Sequence, residues 1–331
     1  METILLSDKE IKDLISMRDV MDAVELAFRE KGFGRVQMPP KMYLTFGKYN
    51  GDLRVMPSYI ERMDISAVKV VNVHPNNREK YGLPTVMAVI ILVDPKNGFP
   101  IAIMGGKTIT DMRTGAAGGV AARYLARKDS RVVGFVGAGD QARTQLAALL
   151  EVFESFDEVR VWSRSEEARM RFKDEMTMKY GHLCKIIAVQ SIKEAVNGAD
   201  IIVTATPSRM PLVMDEWVQA GTHFNCIGAD APGKEEVDPL ILKRAKIVVD
   251  DWEQASHSGE INVPLSKGLL SRGDIWAEIG EIVAGIKPGR TSNDEITVFV
   301  STGLAIQDAV TANLVYQRAL KLGAGRKIKI I

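Results

Sequence analysis

The sequence predicts an α/β chain in which a doubly wound parallel sheet is inserted into a mixed α+β domain. Three observations lead there. The first third holds strand-like runs separated by turn residues, and from Arg131 onward short apolar strands alternate with helical stretches. Such alternation is the pattern of a parallel sheet with helices on both faces. The strand Val132 to Val136 runs straight into Gly137-Ala138-Gly139-Asp140-Gln141-Ala142. The last segment, Thr302 to Leu320, is helical again, and it is expected to return to the N-terminal domain because chain termini often lie close together.

Composition narrows the class. The 331 residues suit two domains or one large α/β unit, and a content of 46% hydrophobic and 26% charged residues buries a core. Lys plus Arg number 43 and Asp plus Glu 42, a net charge of +1. That balance gives no electrostatic case for nucleic acid or an anionic membrane. Cys184 and Cys226 cannot build a disulfide framework or a Cys-only zinc site, and His74, His182, His223 and His257 are too scattered for a metal motif. No metal is expected. The apolar run at the start is too short for a secretion signal. The longest apolar run, Val86 to Val93, is less than half the roughly 20 residues a membrane helix needs. A cytoplasmic protein with no membrane or nucleic-acid partner is expected.

The elements follow in order. Ile11, Leu14, Ile15, Val20, Val24, Ala27 and Phe28 recur at helical spacing within 7–31, which predicts two short helices broken near Ser16. Ser7 followed by Glu10 is a capping box. Strands are predicted at Met42 to Phe46, Leu53 to Met56, Ala67 to Val73, Thr85 to Val93 and Ile101 to Gly105, with turns at 47–52 and 94–98. Together they predict one curled mixed sheet. Thr110-Asp111 opens an Ala/Gly-rich helix covering Arg113 to Ala126. In the wound part, strands are predicted at 132–136, 159–162, 186–189, 201–205, 223–227 and 247–249, and helices at 141–153 and 166–180.

The loop after Val136 carries the clearest chemistry. Gly137 makes the tight turn, Gly139 lets backbone approach a pyrophosphate, and Ala142 lets helix and strand pack closely. The helix N-terminus then offers N–H groups and a positive dipole end to phosphates. A strand before and a helix after make this a Rossmann dinucleotide signature. The second strand ends in Ser163-Arg164-Ser165 with no acid at its tip. An acid there would bond the 2′-hydroxyl of NAD, whereas Arg suits the 2′-phosphate of NADP. NADP(H) is therefore favoured. The alternative is that Arg164 only stacks on adenine, in which case either NADP(H) or NAD(H) binds.

Basic residues recur among the early strands: Lys41, Arg54, Lys69 and Arg113. Lys69 interrupts an otherwise apolar strand, so it lies either on a solvated edge or in a site where burial and neighbouring cations lower its pKa. Arg54 poses the same alternatives. Arg113 and Thr114 would occupy the first turn of their helix, and an Arg at a helix N-terminus binds anions. Asp230, in Gly228-Ala229-Asp230, follows a strand of the wound domain. It either caps the next turn or projects from the carboxyl edge where ligands bind.

These motifs bring in a known family. Lys69 to Pro75, Gly82 to Ala88, Arg113 to Gly119, Gly137 to Ala142, Ile227 to Lys234 and Ser301 to Asp308 give the chain a near end-to-end resemblance to the ornithine cyclodeaminase/μ-crystallin family, closest to its alanine dehydrogenase branch. The resemblance implies a homodimer. It implies a substrate-binding and dimerisation domain at 1–115 plus 300–331, around a Rossmann domain at 116–299. It implies Lys69 and Asp230 as the catalytic pair, with Arg54, Lys69, Lys41 and Arg113 binding substrate. It implies a cofactor lining of Arg113, Thr114, Gly137, Ala138, Gly139, Asp140, Gln141, Ser163, Arg164, Ser165, Thr206, Gly228, Ala229, Asp230, Lys234 and Ser301.

Two departures matter. Many members carry Arg where Lys41 stands, which puts a bidentate carboxylate clamp there in doubt. Cyclodeaminases carry Glu two residues before the Met-Pro pair, where this chain has Arg54. Like charges ~4 Å apart repel by about 4 kcal/mol at an effective dielectric of 20 and about 1 kcal/mol in water, so Arg54 is expected to penalise ornithine and attract a carboxylate. The resulting expectation is NAD(P)-dependent deamination of L-alanine to pyruvate and ammonia, by hydride transfer at Cα. The small amino, imino or oxo acid is the expected partner. The alternatives are ornithine cyclodeamination to proline, reduction of a cyclic ketimine such as pyrroline-2-carboxylate, and non-catalytic NADP(H) binding.

Overall fold

A computed structural model of the chain describes residues 1–330. The chain divides by its packing into two compact units, Met1–Arg113 with the segment from Leu304 onward, and Thr114–Gly303. The sequence places these breaks at 115/116 and 299/300.

The first unit is built on an eight-stranded sheet. Its strands run in the order Arg326–Ile328, Thr3–Leu6, Pro100–Gly105, Val86–Val93, Ile65–Val73 and Gly51–Ile60. Val36–Gln37 and Met42–Phe46 both pair with Gly51–Ile60 at the far edge. Only Thr3–Leu6 with Pro100–Gly105 is a parallel pair, so the sheet is mixed, as the turn spacing predicts. The terminal strands, of four and three residues, carry too little periodicity to be seen in the sequence. Helices Asp8–Leu14 and Met17–Gly32 each begin with a capping box, Ser7 with Glu10 and Ser16 with Asp19, which explains the break near Ser16. Helix Ala305–Leu322 packs on Met17–Gly32 and on the central strands of this sheet.

One expectation is corrected here. The sequence starts a helix at Thr110 with Arg113 and Thr114 in its first turn. The helix spans Lys107–Leu125 instead, so both residues lie beyond its first turn and the helix-terminus argument for an anion site there fails. The cause is a cap from a distant part of the chain. Asp8 Oδ1 accepts the Thr108 N–H at 2.7 Å, and no local pattern reveals a partner a hundred residues away.

The second unit is an eight-stranded, all-parallel sheet. Its order is Cys184–Ala188, Phe156–Trp162, Val132–Val136, Ile201–Thr204, His223–Cys226, Ile296–Val300, Ala245–Val249 and Ile275–Glu278. The winding reverses between Val132–Val136 and Ile201–Thr204, which is where ligands bind in such sheets. The sequence reading omits Ile296–Val300 and Ile275–Glu278, together with a small parallel pair, Arg209–Val213 with Glu235–Val237. Ile296–Val300 is buried throughout, and a short run with a single polar residue, Thr297, shows no clear period of two or of 3.6. Among the described residues, no helix is long and apolar enough to cross a membrane, and no group of three His, Cys, Asp or Glu side chains is placed to hold a metal ion.

Gly134 shows how tightly the wound sheet is covered. A Cβ there would lie 2.3 Å from the Ala195 carbonyl oxygen, at helix Ile192–Val196. Gly134→Ala should therefore cost about 1–3 kcal/mol through overpacking. Urea unfolding is expected to show a lower midpoint at unchanged m-value; an unchanged midpoint would mean that the helix moves away freely.

Candidate active site

In the first unit, strand pairing gathers the basic residues on one face. Met56 lies opposite Lys69, and Arg54 opposite Val71 and Tyr43. Directly opposed residues of antiparallel strands share a face, and so do residues two apart. Arg54, Met56, Lys69 and Val71 therefore point the same way. Met56 and Val71 pack against Ala305, at the start of helix Ala305–Leu322.

That helix supplies a residue the sequence reading did not single out. Asp308 is 1% exposed and takes two cations. Its Oδ2 lies 2.7 Å from Lys69 Nζ, and its Oδ1 accepts from Arg113 Nε at 3.0 Å. Gln307 Oε1 accepts from Arg113 Nη1 and from the Leu304 N–H, each at 3.0 Å. Both lie in the Ser301 to Asp308 motif, but nothing local to that motif says which distant cations they meet.

Lys69 is 1% exposed, which settles its alternatives: it is interior, not on a solvated edge. Burial is the main force pulling its ammonium down, to about 7. Arg113 and Lys41 push the same way, while Asp308 opposes them. One carboxylate is shared between two buried cations, so the Coulombic balance adds to the effect of burial and Lys69 is the member that sheds its proton. Lys41, half-buried just before strand Met42–Phe46, adds a third positive charge.

Arg54 is buried too, but it has a partner the sequence reading did not include. Asp52 binds it bidentately, Oδ1 to Nε at 2.8 Å and Oδ2 to Nη2 at 3.1 Å, and the guanidinium lies 5.3 Å from the centre of the Tyr43 ring. The repulsion expected of Arg54 toward a second ammonium is largely offset by Asp52. What Arg54 retains over a Glu in this position is its set of hydrogen-bond donors.

In the second unit, the dinucleotide loop opens at the carboxyl end of Val132–Val136. Gly137 has φ +115° and a Cβ there would meet the Ala205 carbonyl oxygen at 2.5 Å, so the turn and its close neighbour both require glycine. A Cβ on Gly139 would meet nothing within 4 Å. Gly139 is the N-cap of helix Asp140–Phe153 and, lacking a side chain, accepts no bond from the first turn. Ala142 is fully buried against the sheet. Arg143 braces this loop from one side. Its Nη1 donates to the carbonyls of Ala138 and Gly139 at 2.7 and 3.1 Å, and its Nε pairs with Glu175 at 2.7 Å.

The remaining candidates lie nearby along the same carboxyl edge or on the helix entering this unit. Thr206 follows Ile201–Thr204, Gly228 to Asp230 follow His223–Cys226, and Ser301 follows Ile296–Val300. Ser301 is buried, and its hydroxyl has no partner among the described residues. An open glycine cradle, an uncapped helix start and an orphaned buried hydroxyl at one sheet edge fit a pyrophosphate-linked dinucleotide. Ser163, Arg164 and Ser165 close strand Phe156–Trp162, where Arg164 is exposed. Ser165 Oγ accepts the Ala168 N–H at 3.1 Å as the cap of helix Glu166–Tyr180, so only its proton is left to offer a phosphate. Thr114, inside its helix, uses its carbonyl for Gln145 Nε2 at 2.9 Å.

Asp230 is half-buried and ion-paired with Lys234 at 2.6 Å. Its loop is held by Glu236, which the sequence reading also lacked. Glu236 Oε1 accepts the Thr206 N–H and hydroxyl, both at 2.7 Å, and Oε2 accepts the Gly228 N–H at 2.9 Å. Glu260 Oε1 in turn accepts the N–H groups of Glu236 and Val237 at 2.6 and 2.8 Å. Burial pushes both carboxyl groups up, Glu236 to about 7 and Glu260 well above the usual range.

The family model for the ornithine cyclodeaminase/mu-crystallin family matches residues 1–323. The chain belongs to that family. It is 52% identical, over 99% of either chain, to an alanine dehydrogenase of Archaeoglobus fulgidus. Among solved structures it resembles an archaeal alanine dehydrogenase dimer with bound NAD, at TM-score 0.95 and 51% identity over the whole of both chains. It equally resembles the Thermococcus litoralis Delta(1)-pyrroline-2-carboxylate reductase in complex with NADH and L-proline, at TM-score 0.95 and 44% identity over 98% of this chain and all of that one.

Asp308 offers a direct test of the cation cluster. Asp308→Asn leaves Lys69 and Arg113 buried without their shared anion, and breaking a buried pair from one side costs about 3–5 kcal/mol. Chemical unfolding should register a loss of that size. A loss below about 1 kcal/mol, the level of a surface pair, would show that Asp308 does not carry the cluster.

Proposed function

We propose that this chain is an alanine dehydrogenase, interconverting L-alanine with pyruvate and ammonia. Its class, an amino-acid dehydrogenase acting on a CH–NH2 group with a nicotinamide dinucleotide, follows from its family and its near relatives. The observation that carries the substrate reading is the buried cluster of Lys69, Arg113 and Arg54, in which a small carboxylate meets donors on a dry sheet face. The 52% identity to an alanine dehydrogenase supports it, as does Arg54 where a cyclodeaminase would have Glu. One observation favours a second reading: the likeness to the pyrroline-2-carboxylate reductase makes reduction of a cyclic imine the main alternative.

The bound dinucleotide supplies a hydride acceptor and donor. The chain's own groups do the rest. Arg54, Arg113 and Lys41 bind and orient the carboxylate, which fixes the position of Cα. Lys69 moves the proton: an amine near 7 takes one up or gives one back at little cost at neutral pH. Asp230, steadied by Lys234, accepts hydrogen bonds from the amine and then from the water that adds to the imine carbon. Water addition and loss of ammonia leave the 2-oxo acid. The same groups run the reverse amination. No acid ends strand Phe156–Trp162 and Arg164 is exposed, which favours NADP(H), whereas the similar solved structures hold NAD and NADH. Both coenzymes therefore belong in the assay. We also infer a homodimer, as in the archaeal structure.

The test follows reduced-nicotinamide absorbance with a panel of oxo and imino acids. Pyruvate with ammonia should be turned over best, and Lys69→Ala and Asp230→Ala should each lose about 10²–10⁴-fold, the usual weight of acid–base groups. Normal rates in both variants would remove these roles; preference for pyrroline-2-carboxylate would replace the substrate.

The pH profile has a definite sign. Lys69 is cationic below about 7 and neutral above. For alanine oxidation, which needs the neutral amine as base, kcat/KM should climb as pH rises through 7. Lys69→Arg, which cannot titrate, should lack that inflection, and an unaltered profile in this variant would assign the proton transfer elsewhere.

A further inference from the structure

We propose that Glu236 is a positioning residue, which sets the Thr206 and Gly228 loops at the sheet edge and through the second of them aims Asp230. The role assigned to Asp230 is the one proposed above. Four observations point to Glu236. Its carboxylate accepts three donors from two separate loops, the Thr206 N–H and hydroxyl at 2.7 Å and the Gly228 N–H at 2.9 Å. The crossing is tight: a Cβ on Gly228 would lie 2.4 Å from Glu236 Oε2 and 2.2 Å from the Thr206 carbonyl oxygen. The Asp230 N–H donates back to the Gly228 carbonyl at 3.0 Å, so a shift at 228 is passed on two residues later. Glu236 is itself held from behind, where Glu260 Oε1 takes its N–H and that of Val237.

A fully buried carboxylate is a costly way to hold a loop. Its advantage is geometric. Only a group with two acceptor oxygens and no donor satisfies three N–H and O–H groups arriving from two sides. An amide in its place keeps one oxygen for Thr206 and turns its NH2 onto the Gly228 N–H, donor against donor. Glu236→Gln is thus close to isosteric, and it leaves the Gly228 N–H with only its longer bond to the Thr204 carbonyl, at 3.2 Å, while sparing Thr206.

The experiment compares wild type, Glu236→Gln, Asp230→Asn and the double variant. Glu236→Gln should lower kcat by about 10- to 100-fold, as a misplacement near 1 Å does, with little change in KM for the oxo acid. The double variant should be no slower than Asp230→Asn alone, because one effect acts through the other. Hydrogen exchange read by mass spectrometry should be at least about 10-fold faster in peptides covering 227–230 and unchanged at 132–136. A structural role alone would give multiplying rate losses, and that result would overturn the proposal. So would unaltered exchange at 227–230. If Glu236→Gln does not fold, Glu236→Asp keeps the charge but withdraws the acceptors, and the same two readouts decide. If Asp230→Asn is fully active, the catalytic reading of Asp230 fails by itself, and exchange at 227–230 still decides whether Glu236 holds the loop.

Discussion

A single carboxylate, that of Asp308, stands between two buried cations, and much of the first unit is arranged around it. Helix Ala305–Leu322 crosses the face that carries Arg54, Met56, Lys69 and Val71, and Asp308 is where the helix and that face are joined by charge. Two cations and one anion leave a positive surplus in a low-dielectric site. Burial first, and the surplus after it, pulls the Lys69 ammonium down to about 7, and the surplus is also what an incoming carboxylate would neutralise. Stability and chemistry thus pull in opposite directions here. A second buried acid would make the cluster cheaper to bury and would remove its attraction for an anionic substrate.

The second unit solves a different problem. Its parallel sheet ends in loops that must be open to a ligand yet accurately placed. Gly139 provides the openness and Gly137 the tight turn, and polar side chains from neighbouring elements provide the placement. Arg143 holds the carbonyls of Ala138 and Gly139, and Glu236 holds Thr206 and Gly228. Each uses charge-assisted hydrogen bonds to backbone, which are stronger and more directional than neutral ones.

Arg54 with Asp52 presents donors but little net charge. On the proposed function, a diamino acid would be disfavoured less by repulsion than by the lack of an acceptor to replace the water lost from its second ammonium. A buried unpaired polar group costs more than a modest Coulomb term. Linear alanine and a cyclic imino acid both carry a carboxylate on the reacting carbon, so the carboxylate-binding set proposed above would not by itself tell them apart.

Much of this molecule was legible locally. The Gly-x-Gly-x-x-Ala loop, the parallel strands before and after it, the capping box of Ser7 with Glu10 and the Lys inside an apolar strand each follow from short-range pattern, because glycine geometry, capping and burial act over a few residues. Lys69 and Asp230 could be named for the same reason. Tertiary structure alone decided the partners: Asp308 for Lys69 and Arg113, Asp52 for Arg54, Lys234 for Asp230, Glu236 for the loops, and Asp8 for the start of helix Lys107–Leu125. Most of these pairings join residues far apart in sequence, and Glu236 reaches both Thr206, 30 residues away, and Gly228, 8 residues away. Arg54 with Asp52 and Asp230 with Lys234 are near neighbours, but either side chain could equally have faced solvent. Which charge meets which depends on strand order and helix placement, and those are properties of the assembled core.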